Sequence, residues 1–267
     1  MAYRAFFGLA REPFGADLEL DAILRTKDLL GVHERLHYAV RLGAIALVTG
    51  EVGAGKSTAL RWCCGQLHPA KYKPLWITAS AGSILEVYRQ LLSELDCNTA
   101  SSSRAVLTRM IRQQIHDLVV GKKQQPLLVI DEASLLRLDV FAELHTIIQF
   151  EGDSKPWLPV VLAGQNNLAD NLLYRTAVPL ASRIVARSHL QAVNRQGMEQ
   201  YLNHHLNIVG LNTSPFDEQA VTAVHQGSGG LFRKANHLAR GAMIAAAAEK
   251  SQTVTAEHVR MADSELL

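Results

Sequence analysis

In the first 190 residues, two kinds of apolar pattern alternate along the chain. The first kind is a short continuous apolar run, typical of a buried strand, and such runs cover residues 44–49, 74–79, 127–130, 158–163 and 183–186. The second kind repeats with a period near 3.6 residues and predicts helices over residues 27–42, 84–95, 105–119 and 140–149. Strands that alternate with helices predict an α/β fold with a parallel sheet flanked by helices.

The pattern changes after about residue 190, where only helical periodicity remains. It predicts helices over residues 197–209, 217–226, 232–249 and 256–262, the last of them capped by Thr255. At the other end of the chain, Pro13 and neighbouring glycines favour an extended, turn-containing segment over residues 1–20. We therefore predict two domains, an α/β core over residues 1–190 that includes this segment and an all-helical lid over residues 191–267.

Composition restricts the classes of protein that fit this chain. Its 267 residues are 48% hydrophobic and carry a net charge of +2, so binding to nucleic acid would need a local basic patch. Cys63, Cys64 and Cys97 have no metal-ligand spacing, which favours a reducing compartment. The sequence shows no signal peptide and no apolar run of about 18 residues, so we expect a cytoplasmic protein that does not enter a membrane.

One glycine-rich motif carries most of the chemistry. Residues 50–58 match G-x-x-x-x-G-K-[ST] in full, between a predicted strand and a predicted helix. Glycines let the backbone curl so that its N–H groups point at phosphate oxygens, and the helix N-terminus adds partial positive charge. Lys56 is expected to reach the β- and γ-phosphates of ATP, and the Ser57 hydroxyl to bind Mg²⁺. The motif predicts nucleotide binding by Gly50, Glu51, Val52, Gly53, Ala54, Gly55, Lys56, Ser57 and Thr58.

A second motif follows the strand predicted over residues 127–130. Asp131 and Glu132 come directly after it, and ligands of open α/β sheets bind at the carboxyl ends of the strands. A helix-capping acid is a common alternative, but the glycine motif about 75 residues earlier favours a catalytic pair. We expect Asp131 to hold Mg²⁺, mostly through water. Glu132 is expected to polarise the water that attacks the γ-phosphate, and alternation along a strand would point the two acids in different directions.

Together these residues resemble the AAA+ ATPases, and more closely the general secretion pathway protein A family. The markers are Phe6-Phe7-Gly8-Leu9 with Pro13-Phe14, the motif over residues 50–58, Val129-Ile130-Asp131-Glu132-Ala133, Leu162-Ala163-Gly164-Gln165 and Gly229-Gly230-Leu231-Phe232-Arg233-Lys234. The resemblance implies a P-loop AAA+ core with a C-terminal helical lid.

The resemblance also implies two sensor residues. Gln165, or its neighbour Asn166, is similar to sensor 1, a polar group that helps to place the attacking water. A polar turn after a strand is the alternative interpretation. Arg233 is similar to sensor 2 on the lid, which contacts the nucleotide of its own subunit. This chain has Phe232 at the preceding position, where the family often has proline.

An arginine finger is the third implied element. Arg183 resembles a finger that reaches the γ-phosphate on the adjacent subunit, with Arg187 and Arg175 as alternatives and a plain surface arginine as the simpler interpretation. A finger that acts on a neighbour implies a homo-oligomer, either a hexameric ring or a helical filament.

Two biological roles are compatible with such an ATPase. In the secretion family a membrane anchor and a peptidoglycan-binding part normally follow the ATPase domain, and we expect none here because the sequence ends at Leu267. Short relatives resemble the regulators that accompany DDE-type transposases and bind duplex DNA as ATP-dependent oligomers. By this analogy we expect an ATPase that regulates transposition and target selection, with duplex DNA and a transposase as partners. The alternatives are the ATPase of a secretion system and a nucleotide-switched scaffold.

Contacts with DNA would come from a basic surface. Arg104, Arg109 and Arg112 lie on or before one predicted helix, and Lys122 and Lys123 follow it. We expect Arg104, Arg109, Lys122 and Lys123 to contact phosphates without reading base sequence, so that binding is salt-sensitive. A solvated helix face is the alternative interpretation of the same charges.

Overall fold

A computed structural model describes residues 2–265 of the chain. Met1, Leu266 and Leu267, which the predicted domains include, lie outside the described residues. The described residues form two compact units, each with dense internal contacts and its own hydrophobic core. The α/β unit contains residues 26–50 and 56–190, and the helical unit contains the described residues of 2–25, 51–55 and 191–265.

Five strands and twelve α-helices cover most of residues 2–265. The strands are β1 Ile45–Gly50, β2 Tyr72–Thr78, β3 Gln125–Asp131, β4 Val160–Gly164 and β5 Ile184–Leu190. The helices are α1 Ala2–Phe6, α2 Lys27–Leu42, α3 Lys56–Gly65, α4 Ile84–Glu94, α5 Arg104–His116, α6 Leu138–Ile147, α7 Asn167–Asn171, α8 Val178–Ala181, α9 Arg195–Ile208, α10 Glu218–Ser228, α11 Phe232–Ala248 and α12 Ala256–Ser264.

The strands form one parallel sheet in the order β2-β3-β4-β1-β5. β1, β3 and β4 lie inside the sheet and are buried along almost their whole length, so each of them is a continuous apolar run. β5 lies at an edge of the sheet, where buried and exposed residues alternate. Because the second half of β5 contains polar residues, the apolar run predicts only its first half. The prediction of a parallel α/β sheet flanked by helices is confirmed.

Helix α5 follows the apolar period that predicts it, but it ends earlier than the period does. Leu107, Ile111 and Ile115 recur every four residues and are fully buried in the core of the α/β unit. The predicted helix extends three residues beyond His116, whereas α5 ends there and a π-helical turn, Asp117–Gly121, follows. The predicted helix is therefore too long. Apolar residues in the π-helical turn continue the helical period, although the backbone there is no longer α-helical.

The helical unit is formed by α9–α12 together with the N-terminal segment. The sequence predicts an extended segment that belongs to the α/β core, but Ala2–Phe6 forms α1. Phe7 and Phe14 are buried in the same core as Leu202 and Met243 of the helical unit. Burying two aromatic side chains stabilises this arrangement more than local turn preferences do. The division of the chain into domains at residue 190 stays a prediction.

Two further features of the helices bear on the sequence predictions. Thr255 caps α12 as predicted, in a capping box with His258. Within residues 2–265, no helix combines the length and the apolar character that crossing a membrane requires.

Gly43, which follows α2, generates a prediction about stability. Its φ is +63°, and an added Cβ would overlap the side chain and the carbonyl oxygen of Pro156. We expect Gly43→Ala to lower the free energy of unfolding by about 2–4 kcal/mol, because left-handed strain and a backbone clash act together. Urea denaturation followed by circular dichroism measures the change. Gly121→Ala is the matched control, since nothing lies within 4 Å of its Cβ position; an equal loss in both variants would contradict the prediction.

Candidate functional site

Strand order brings the candidate site residues to one edge of the sheet. β4 lies between β1 and β3, with Thr49 beside Gly164 in parallel register. The chain leaves β1 into the glycine-rich motif, leaves β3 at Asp131 and leaves β4 toward Gln165. The carboxyl ends of parallel strands meet at the same edge, and ligands of open α/β sheets bind there.

The glycine loop, residues 50–55, depends on glycine for its conformation. Gly53 and Gly55 have φ values of +86° and +94°, which residues with side chains rarely adopt. Ala54 between them is buried, and its N–H donates to the Glu51 carbonyl at 3.2 Å. A backbone curled in this way presents N–H groups to a phosphate, so the loop fits the nucleotide that the motif predicts. The exposed positions of the motif are Glu51, Val52, Ser57 and Thr58.

Lys56 is the first residue of α3, directly after the loop. Its side chain is 6% exposed, and Nζ donates to the Gly50 carbonyl at 2.9 Å. This hydrogen bond holds the ammonium at the carboxyl end of β1 and at the N-terminus of a helix. Positive charge concentrated in this way favours phosphate oxygens as the ligand.

The backbone at the end of β3 differs from the sequence prediction, in which strand alternation points the two acids in different directions. β3 ends at Asp131, and Glu132 is in the left-handed region, with φ +53° and ψ +31°. Asp131 is 6% exposed, and its Oδ1 accepts the Glu132 N–H at 2.9 Å. The strand therefore ends before Glu132, and strand alternation does not determine the direction of its side chain. Strain at a non-glycine residue is typical of functional sites.

Ser134 is a residue of this edge that the sequence analysis missed. It is buried, and its Oγ accepts the Gln165 N–H at 3.3 Å. The Ser134 carbonyl accepts the Asn171 side-chain amide at 3.4 Å. Gly164 permits this approach, because a Cβ there would lie 2.8 Å from the Ser134 nitrogen. The segment after Glu132 is thus hydrogen-bonded to the residue that follows β4, and Gly164 before Gln165 is the sequence signal of this contact.

Arg183 lies at the amino ends of the strands, opposite the carboxyl ends where Asp131 and Gln165 lie. It precedes β5, and the Ile45 N–H at the start of β1 donates to its carbonyl at 3.1 Å. Its guanidinium donates to Asp153 at 2.5 Å and to Nδ1 of His145 at 3.3 Å. The hydrogen bond from Arg183 lowers the pKa of Asp153, while burial and then the arginine charge lower the pKa of His145. Arg183 is therefore held as part of an ion pair, about 17 Å along the strands from Gly50 at the end of β1.

The alternative finger residues have different surroundings. Arg187 is exposed on the edge strand β5, and Arg175 is exposed between α7 and α8. Neither forms an ion pair among residues 2–265. Arg183 lies before the start of β5 and Arg187 lies within that strand, where it pairs with Leu47 of β1, so neither is at the carboxyl end of its strand.

Arg233 belongs to the helical unit, where it is the second residue of α11. Its side chain is exposed, and its backbone N–H donates to the Gly53 carbonyl at 3.3 Å. This contact lies within one unit, because residues 51–55 of the loop belong to the helical unit too. The predicted sensor 2 residue is therefore in direct contact with the glycine loop.

The predicted DNA contacts lie along and beyond α5. Arg104 and Arg109 are exposed on the helix, and Arg104 forms an ion pair with Glu143. Lys122 and Lys123 are exposed after the π-helical turn, at the far end of α5. Since α5 alone is about 20 Å long, the four cations form a dispersed basic surface rather than one cluster.

A groove of about 730 Å³ runs beside α5. Its lining includes Arg104, Arg109 and Arg112 together with the aromatic rings of Phe150 and Trp157. Arg112 is fixed there, because it donates to the Thr146 carbonyl at 3.0 Å and lies 6.0 Å from the centre of the Phe150 ring. The groove therefore combines cationic and apolar surface.

Comparison with known sequences identifies the domain. Residues 40–172 match the family model of an AAA domain. General secretion pathway protein A of Aeromonas hydrophila is 28% identical over 267 residues, which cover 99% of this chain and 48% of that protein. The chain thus spans about half the length of this curated relative.

Solved structures share the fold over nearly the whole chain. The Aeropyrum pernix ORC2 protein in its ADPNP–ADP complexes has a TM-score of 0.72 at 16% identity, covering 96% of this chain and 71% of that chain. The Aeropyrum pernix ORC1 protein in complex with DNA has a TM-score of 0.71 at 18% identity, covering 95% and 68%. The Thermotoga maritima RuvB Holliday junction branch migration motor has a TM-score of 0.57 at 16% identity, covering 98% and 73%.

At these identities the solved structures bear on the fold alone. The fold itself has the strand order and the glycine loop expected of a P-loop AAA+ protein. The sheet, the matched AAA domain and the 28% identical relative together support an AAA+ ATPase family for this chain.

Proposed function

We propose that this protein binds ATP with Mg²⁺, hydrolyses it to ADP and phosphate, and assembles as an ATP-dependent oligomer on duplex DNA to regulate transposition. One observation carries the ATPase part of the proposal. β4 lies between β1 and β3, so Lys56, the Asp131–Glu132 pair and Gln165 follow neighbouring strand ends. This edge would supply a cation that binds phosphate, a carboxylate that binds the metal ion, a general base and an amide that orients water.

Each residue has a role that its chemistry can supply. The N–H groups of the glycine loop bind phosphate oxygens, and Lys56 balances the charge on the β- and γ-phosphates. Glu132 acts as general base toward the attacking water, and Gln165 orients that water. Arg233 binds the nucleotide from its position beside Gly53.

Ser57 and Asp131 fit Mg²⁺, because hydroxyl and carboxylate oxygens are ligands that this ion prefers. Asp131 uses Oδ1 to accept the Glu132 N–H, and its Oδ2 is proposed to face the ion or its waters. When bound, Mg²⁺ neutralises part of the negative charge of the phosphates.

Self-association is supported by an exposed apolar surface on the α/β unit. Leu173, Tyr174 and Val178 are 76%, 55% and 49% exposed and lie close together in the sequence, with Arg175 among them. Apolar side chains exposed together in this way mark protein–protein contacts. We infer that a second copy of the chain binds at this surface.

Arg183 is proposed as the arginine finger of such an assembly. It lies at the amino ends of the strands, whereas Lys56 follows the carboxyl end of β1, so it is proposed to act on a γ-phosphate of a neighbouring subunit. In the assembled state its guanidinium would exchange the carboxylate of Asp153 for a phosphate. Arg187 and Arg175 are the alternatives.

DNA as a partner is supported by two observations. One structural neighbour is the ORC1 protein in complex with DNA, and another is a Holliday junction branch migration motor. Arg104, Arg109, Lys122 and Lys123 are exposed, which makes them accessible to phosphates. The transposase partner rests on the resemblance of the sequence to regulators of DDE-type transposases.

The second candidate function is the ATPase of a general secretion pathway A-type system. The 28% identity to general secretion pathway protein A over 99% of this chain favours it. Response to DNA distinguishes the two functions, because the transposition proposal requires duplex DNA and the secretion alternative does not.

Lys56→Ala is expected to weaken binding of a fluorescent ATP analogue by about 100-fold or more, because it removes a charge-assisted hydrogen bond to phosphate. Anisotropy titration measures the affinity. Lys155→Ala removes an exposed lysine of the same unit and should bind like the wild type. Wild-type affinity in Lys56→Ala would place the phosphate site elsewhere in the chain.

Glu132→Gln is expected to bind ATP but to hydrolyse it about 100-fold more slowly, because it lacks the general base. It should therefore accumulate as oligomers on duplex DNA. Mass photometry with ATP, with ADP and without nucleotide, at low and moderate salt, measures assembly, and phosphate release measures turnover. Glu151→Gln, at an exposed glutamate, is the control.

Two results of that experiment would change the proposal. Normal turnover by Glu132→Gln would show that another group is the base. Absence of DNA binding in every nucleotide state would refute the DNA part and favour the secretion-type alternative.

Arg183→Ala is expected to bind ATP within about twofold of the wild type and to lose about 100-fold or more in kcat. Mixing it with Lys56→Ala subunits should restore part of the activity, because the second subunit supplies an intact arginine to the first. Asp153→Asn is the control, since it breaks the same ion pair and keeps the guanidinium. Unchanged turnover in Arg183→Ala would move the finger to Arg187 or Arg175.

A further inference from the structure

A continuous series of aromatic rings in the helical unit ends on the glycine loop. Phe14 stacks on His205 with ring centroids 5.7 Å apart, His205 contacts Tyr201 at 4.4 Å, and Tyr201 contacts Phe232 at 4.4 Å. The Phe232 ring then lies against Gly55, with Cδ2 3.4 Å from the position of a Cβ on that glycine. We refer to Phe14, His205, Tyr201 and Phe232 as the aromatic column.

Hydrogen bonds fix the orientation of the two middle rings. Nδ1 of His205 donates to the Pro13 carbonyl at 2.7 Å, and burial lowers the pKa of His205 to about 4, so the ring is neutral near pH 7. The Tyr201 hydroxyl donates to Oδ1 of Asn236 at 2.9 Å, one helical turn after Phe232 in α11. The column is therefore tied to the N-terminal segment at one end and to α11 at the other.

The same turn of α11 makes a second contact with the loop. Leu231, at the N-cap position of α11, provides no side-chain cap, and the Arg233 N–H donates to the Gly53 carbonyl at 3.3 Å. A Cβ on Gly53 would lie 2.9 Å from the Cβ of Arg233. Two consecutive residues of α11 thus contact the two glycines whose positive φ values shape the loop.

We propose that Phe232 is a positioning residue, which holds the glycine loop in its phosphate-binding conformation and connects it through the aromatic column to Phe14. The proposal rests on nucleotide binding by this loop, as argued above. Glycine has more conformational freedom than any other residue, so a glycine loop must lose much entropy when it binds phosphate. Packing that orders the loop in advance reduces this loss and raises affinity for the ligand. Proline at position 232 would have no aromatic ring to place between Tyr201 and Gly55.

Hydrogen exchange without nucleotide tests the proposal directly. Phe232→Ala should raise the exchange rates of amides in residues 51–57 by about threefold to tenfold, the range that losing aromatic contacts implies. Phe6→Ala, which removes a half-buried ring of the same core that is not part of the aromatic column, should leave these rates unchanged. Phe232→Tyr, which keeps the ring, should restore protection.

Steady-state kinetics supply a second readout. Phe232→Ala should raise KM for ATP by about threefold to tenfold with kcat within about twofold, because it disturbs binding rather than the reacting groups. Phe232→Tyr should restore KM, and a raised KM with kcat nearly unchanged in Phe232→Ala is not what a loss of general stability predicts.

The two experiments separate this proposal from the ATPase proposal. A wild-type protein that binds no ATP would refute the ATPase function, while the exchange of residues 51–57 would still test Phe232. Unchanged loop exchange in a folded Phe232→Ala would overturn the positioning role. Faster exchange throughout α9–α12 in that variant would overturn it too, since it would show a general structural role instead.

Discussion

Parallel alignment of β1, β4 and β3 is the constraint on which the candidate site depends. Lys56 and Asp131 are 75 residues apart in sequence, and the parallel sheet brings the carboxyl ends of β1 and β3 to one edge. This arrangement does not require a direct contact between the two residues. Burial supplies the stabilisation, because Leu128, Ile130 and Leu162 are fully excluded from water. The polar residues at the strand ends are thus positioned by apolar residues that take no part in chemistry.

Local backbone conformation matters at three glycines of the motifs. Gly53 and Gly55 of the glycine loop adopt positive φ, and Gly164 at the end of β4 allows Ser134 to approach. Each of them places a neighbouring polar group rather than acting itself. A residue with a side chain at any of the three would strain the backbone or force a neighbouring group to move.

The sequence predicts those parts of the fold in which one strong local signal acts alone. Continuous apolar runs predict β1, β3 and β4, and the glycine motif predicts the loop, because burial on both faces and phosphate binding each leave a distinct pattern. The left-handed Glu132 and the buried Ser134 leave no such pattern, since their conformations follow from the packing of segments distant in sequence. The N-terminal segment departs from its predicted extended conformation for the same reason, because its aromatic side chains are buried by helices some 190 residues later. A finger that acts in trans depends on a complementary surface of another subunit, which periodicity within one chain does not encode.

The left-handed conformation of Glu132 has a consequence for protein engineering. An asparagine or glycine would adopt φ +53° with less strain than glutamate, so either would relieve backbone energy at this position. Both would also remove the carboxylate that the proposed chemistry requires. If Glu132 has the proposed role, a search for stabilising substitutions would select against activity at this position, where thermostability and turnover would be opposed.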